Sequence, residues 1–171
     1  MKSNQNTAIS LEELLKVISP DPSGRQLPPV ETWAPERSTD INMEIRADGS
    51  WWHEGGEIRR DRLVRLFSTI LRRDEDGSYW LVTPYEKVVV HVEDVPFVAI
   101  RADTVSQDGE NAMAFTTNVG DTVVAGPDHP IRVDTDPETG EPSPYVHVRG
   151  RLEAKLSRAV FYELGAMAEA G

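Results

Sequence analysis

The sequence contains no cysteine. Thiol nucleophiles, thiolate-ligated zinc, iron–sulfur clusters and disulfide frameworks are therefore excluded, although the redox compartment stays open. Long apolar runs are missing too: stretches such as Val88 to Val90 fall far below the roughly 20 residues of a membrane-spanning helix. The opening MKSNQNTAIS is polar, and Glu12, Glu13 and Lys16 interrupt the apolar positions that follow, so no signal-peptide core is expected there. A cytoplasmic chain with no membrane partner is the expectation. Positive charge is scarce, with 18 Lys+Arg against 29 Asp+Glu and a net charge of −11. A field of that sign repels phosphate backbones, so nucleic acid is not an expected partner. Gly-x-Ser-x-Gly, Ser-x-x-Lys, P-loop and His-Glu-x-x-His strings do not occur, and no cofactor is expected.

What the sequence does hold, in 171 residues of which 39% are hydrophobic, is enough chain to bury roughly 70% of its unfolded surface without staples. Ser10-Leu11-Glu12-Glu13 has the form of a capping box, and Leu11, Leu14, Leu15 and Ile18 recur at helical spacing, which predicts a short helix ending near Pro20. Five prolines between Pro20 and Pro35 then predict an extended arm anchored by Trp33. From Ile41 the period becomes two, and Asp48-Gly49 joins that strand to Trp51-Trp52-His53 in a hairpin. Leu63, Leu66, Phe67 and Ile70 fall at i, i+3, i+4 and i+7, predicting a helix with Asp61 as N-cap and its arginines on the opposite side.

Strands are expected over 79–83, 87–92, 96–104, 112–117, 122–125, 131–133 and 145–148, the last extended beyond Gly150 through Leu152, Ala154 and Leu156. Ser157 is placed to cap a terminal helix whose Val160, Leu164 and Met167 face inward. Laid over each other at an offset of 34, Leu81 to Phe97 and Phe115 to Ile131 match at five positions. The expected fold is α+β, in two halves with a repeated strand/helix motif, mostly antiparallel sheets and one helix packed per half.

The strings DGSWWHEG, RLVRLFSTILRRDEDGSYWLVTPYEKV, VEDVPFVA, FTTNVGDTVVAGPDHPIRV, DPETGEPSPYVHVRGRLEA and RAVFYEL resemble the bacterial family catalogued as domain of unknown function 1285. The resemblance runs from about Pro28 to Leu164. It implies a two-part α+β protein with a repeated motif and a role in signal transduction, and it assigns no catalytic residue. Residues 1–27 lie outside it, which divides the chain into an N-terminal helix and arm (1–27) and two α+β halves (28–96 and 97–171).

Six arginines stand against three acids between Glu54 and Arg73, a local positive excess in an acidic chain. Guanidinium groups recognise carboxylates and phosphates through paired hydrogen bonds. The leading expectation is thus a non-enzymatic module that binds a small anionic ligand or a protein partner between its halves. Trp51, His53, Arg59, Arg62 and Arg65 would form one wall and Asn118, Asp121, Asp128 and His129, from two polar turns, the other. A small hydrolase or isomerase using Asp128, His129 or His53 as acid–base groups is the alternative, and a homo-oligomer closed by Trp51 or Trp52 a third reading. No metal site is expected: a cluster of His91, His147 and an acid would need the fold to assemble it.

Overall fold

The computed structural model describes residues 27–170; the predicted helix between Ser10 and Pro20 and the side chain of Met167 lie outside the described residues. The chain divides between Asp94 and Val95 into two compact units.

In the first unit a short 3-10 turn (η1, Val30–Thr32) precedes β1 (Arg37–Ile45), β2 (Trp51–His53), β3 (Gly56–Ile58), helix α1 (Asp61–Ser68), β4 (Leu71–Arg73), β5 (Tyr79–Val82) and β6 (Glu86–Val92). The six strands form one sheet in the order β3-β2-β1-β6-β5-β4. It consists of two antiparallel three-stranded meanders, joined at the centre by a parallel pairing of β1 with β6. Alternation sends Met43, Ile45, Trp51, Leu81, Val88 and Val90 to one face, where all are buried together with Phe67, Ile70 and Leu71. That face is the core, because the apolar spacing of α1 delivers Phe67 onto it: the Phe67 ring stacks on Trp51 with centroids 6.3 Å apart. Burying two aromatic rings this way supplies both apolar area and a favourable offset geometry.

The second unit runs β7 (Phe97–Gln107), β8 (Glu110–Thr117), β9 (Thr122–Val124), β10 (Ile131–Thr135), β11 (Pro142–Arg149), β12 (Leu152–Leu156) and α2 (Arg158–Ala170). Its sheet has the order β10-β11-β12-β7-β8-β9. Read from its other edge, this is the first unit's order again, with a parallel β7–β12 pairing at the centre. Phe97, Ala99, Phe115, Val146, Ala154 and Leu156 fill this core and Val160 of α2 joins them. Ser157 caps α2 as expected, its Oγ accepting the Val160 N–H at 3.2 Å.

The two halves are therefore duplicates, but not in the register the sequence suggested. An offset of 34 would equate β5 and β6 with β8 and β9, whereas the strand order equates them with β11 and β12. The matches were Val and Thr at strand positions, which any two strands share. Nor are the helices equivalent. α1 connects the two meanders of its unit, while α2 follows the last strand.

In the second unit only residues 125–130 connect β9 to β10 at the opposite edge. They double back, Gly126 and His129 exchanging backbone hydrogen bonds at 3.1 Å. A flat six-stranded sheet is about 24 Å across, too wide for such a connection. The sheet is accordingly curled, and the β10–β11 pairing runs one residue past Ile131, His147 N–H donating to the Pro130 carbonyl at 3.0 Å.

Three further expectations are corrected. Arg60, not Asp61, is the N-cap of α1, and Asp61 sits in the first turn, where its charge suits the helix dipole. β3 and β4 go unread in the sequence because three residues carry no periodicity. Arg72 does not share the exposed arginine side: it is 8% exposed, bonded to Asp74 at 2.7 Å and to the carbonyls of Val30 at 2.9 Å and Trp33 at 2.7 Å. The described end of the arm is thus held through the backbone carbonyls of Val30 and Trp33.

Candidate binding surface

Helix α1 is amphipathic over its eight residues. Phe67 must face the sheet, so Arg62 and Arg65, three apart on the other side, face solvent, and Arg59 and Arg60 are exposed just ahead of the helix. Thr69 and Ser68 hydroxyls take the Leu66 and Arg65 carbonyls at 2.6 Å and close the last turn. Arg59 Nε lies 3.5 Å from Glu57, on a side chain 85% exposed. Among the described residues no carboxylate lies within ion-pair distance of Arg60, Arg62 or Arg65. By contrast Arg46, Arg72, Arg101, Arg132, Arg149 and Arg158 each have one.

The other residues expected beside them fare differently. Trp51 is 1% exposed and belongs to the core, so its ring offers no surface to a ligand; alternation puts Trp52 on the opposite face of the sheet instead. His53, half-buried, has Nε2 3.7 Å from Glu54 in the adjoining turn.

The second group, Asn118, Asp121, Asp128 and His129, lies in the second unit, where all but Asp128 have local partners. The Asn118 side-chain oxygen accepts the Val98 N–H at 3.0 Å while its own N–H bonds the Val98 carbonyl at 2.9 Å, clamping the β8–β9 turn to β7. Asp121 lies 3.4 Å from Arg149. Asp128 is exposed at the tip of its turn, and His129 turns to His147, Nδ1 to Nδ1, at 3.2 Å. No group of three or more His, Asp or Glu side chains arranged for a metal ion occurs among the described residues.

Both the duplicated topology and the quoted strings bear on ancestry. Residues 28–95 match the model for the N-terminal domain of the domain of unknown function DUF1285, and residues 96–171 match that for its C-terminal domain. The chain belongs to the DUF1285 family. Among solved structures, a DUF1285 family protein from Silicibacter pomeroyi DSS-3 is 45% identical, over 92% of this chain and 83% of its own, with a TM-score of 0.81. A second, from Shewanella baltica OS155, is 27% identical over 72% of this chain and 90% of its own, with a TM-score of 0.57. No curated protein matches. Among the described residues no helix is long and apolar enough to cross a membrane.

In this DUF1285 member the face of the first sheet opposite the core carries a feature that sequence reasoning missed, although its signal is plain. Asp48-Gly49-Ser50-Trp51-Trp52 and Asp76-Gly77-Ser78-Tyr79-Trp80 are the same turn written twice. In each, the aspartate accepts from the serine N–H (2.9 Å) and hydroxyl, and the serine Oγ accepts the indole N–H of the second aromatic residue at 2.8 Å. The serine hydroxyls hold both aspartate pKa values below the ordinary carboxylate value. A cation covers each indole, Arg46 3.6 Å above Trp52 and Lys87 4.1 Å above Trp80. Glycine is required at 49 and 77, whose φ of 88° and 91° other residues rarely adopt.

On the same face a bulge at Asn42 (φ 59°) turns Asp40 toward His91, 3.1 Å away. The Asn42 N–H, ahead of His91, lowers the Asp40 pKa. Beside them lies an open depression of about 670 Å³ lined by Glu44, Arg46, His91 and Glu93. Its two carboxylates outnumber its one arginine, so its charge does not favour an anion.

Proposed function

We propose that this DUF1285 member is a non-enzymatic cytoplasmic module with a regulatory or signalling role, which docks a carboxylate-rich segment of a partner protein on the arginine face of α1. The observation that carries the reading is the unneutralised set Arg60, Arg62 and Arg65 in a chain of charge −11. By contrast, exposed Arg101 sits beside Asp103 and Arg132 beside Asp134. Free guanidinium groups on a rigid helix are pre-organised donors for carboxylates, while the surrounding negative field rejects polyanions that make contact anywhere else. The exposed convex helix favours an extended acidic peptide over a small anion, which needs a concave site to be desolvated.

The test is fluorescence anisotropy with a labelled oligoglutamate peptide at low salt. Binding is expected to weaken at least about tenfold in R62E/R65E and to fall as salt screens the contact. Binding that is absent, or indifferent to the double reversal, refutes the proposal.

A further inference from the structure

The second unit holds two imidazoles whose Nδ1 atoms meet across one short contact. We propose that His129 and His147 form a binding site for a transition-metal ion of the imidazole-preferring class, zinc being the representative. The β10–β11 register, with Ile131 opposite Val146, sets His129 diagonally beside His147, so that the two Nδ1 atoms face each other at 3.2 Å. The ring centroids are 5.2 Å apart and the planes inclined by 33°.

Two imidazoles held by one tetrahedral zinc, with Zn–N near 2.05 Å, have nitrogens about 3.3 Å and ring centroids about 5.2 Å apart. A head-on N–H···N contact at the same nitrogen separation would spread the centroids to about 5.5 Å. The rings thus converge on a point beside the nitrogen–nitrogen line, which is where a shared ion sits.

The tautomers point the same way. His147 Nε2 lies 2.8 Å from the Gly150 carbonyl oxygen, an acceptor only, so Nε2 carries the hydrogen and Nδ1 keeps a lone pair directed at His129. A ring N–H held by a backbone carbonyl is the usual outer support of a metal-binding histidine, fixing both tautomer and ring angle. Without metal, His129 Nδ1–H serves two acceptors, His147 Nδ1 and the His147 carbonyl oxygen at 3.1 Å. Metal binding selects the other His129 tautomer: the hydrogen moves from Nδ1 to Nε2 by exchange with solvent, with no net proton release, and both Nδ1 lone pairs go to the metal. Two protein ligands leave the remaining positions to water or to a donor from a bound ligand, as in sites that stay open. Imidazole suits zinc, nickel and copper, whereas magnesium and calcium prefer oxygen donors.

The experiment uses the full chain without an affinity tag, stripped with chelator, titrated with zinc chloride and followed by calorimetry and by the histidine ring signals in NMR. One saturable site is expected, with the ring signals of His129 and His147 shifting together. His129→Ala and His147→Gln should each lose at least the roughly tenfold in affinity that even an outer-partner loss costs, while His53→Gln and His91→Gln bind as the parent does. Because both histidines are half-buried, the melting curve of each variant is recorded alongside and guards against misfolding as the cause. Magnesium should produce no shift. Absence of saturable zinc binding, or binding that survives His129→Ala and disappears in His91→Gln, overturns the assignment.

Discussion

Replacing Phe67 by alanine tests the packing that presents the arginine face. Phe67 is fully buried and stacked on Trp51, itself 1% exposed, and it is the residue by which the short helix α1 holds the sheet. Truncating such a ring costs about 3–5 kcal/mol, transfer and cavity terms together. With a urea m-value of about 1.5 kcal/mol/M for a unit of this size, a loss of about 4 kcal/mol moves the midpoint down by about 2.5 M. Phe67→Leu, which keeps most of the volume, should move it by about 1 M or less. The assay is unusually clean, because Trp33, Trp51, Trp52 and Trp80 all precede Asp94, so tryptophan emission reports on the first unit alone. The partner control is Arg62→Gln, an exposed change expected to stay within about 0.5 kcal/mol of the parent. Should Phe67→Ala unfold no earlier than Arg62→Gln, α1 does not depend on this contact, and the account of how its arginines are presented fails.

Two further outcomes follow from groups outside the core. Arg72→Met should free the segment around η1, raising amide exchange at Trp33 and costing about 3–5 kcal/mol, because the Asp74 carboxylate and the Val30 and Trp33 carbonyls lose their partner. An unchanged exchange pattern would show that the arm is held by something else. Asp48 is held below its ordinary pKa by the Ser50 hydroxyl and N–H, so its contribution is complete above the unfolded value and is lost as pH falls through the lower folded one. D48N should therefore be less stable than the parent at neutral pH and converge on it in the acid limb below about pH 3.8. Parallel acid curves would refute that sign.

Much of the architecture was legible because it is written in short periods. The Ile41 strand, the Asp48-Gly49 turn, the opposed faces of Trp51 and Trp52 and the Ser157 cap each follow from two to five neighbouring residues. What was not legible depends on residues far apart. The parallel pairings of β1 with β6 and β7 with β12 leave no local mark, and the true register of the duplication shows only in strand order. Arg72 reads like its neighbours until η1 folds over it. Within the candidate surface, Arg62 and Arg65 were legible as the outward side of a helix whose inward side is apolar. Trp51 was misread because sequence cannot say which of two adjacent tryptophans the core will take. His147 gained meaning only through the pairing of β10 with β11, which brings His129 to it.

The central position of the parallel pair has a kinetic consequence. In each unit the meanders are local and can form as soon as their three strands exist, but the pairing that unites them joins the first strand to the last. A unit therefore cannot close its core until its sixth strand has emerged, and until then β1 or β7 presents an open edge in the middle of what will become the sheet. Synthesis from the N-terminus lets the first unit complete itself before the second has its closing strand. Two duplicates of one topology are thereby separated in time, which lowers the risk that the last strand of one pairs with the first strand of the other.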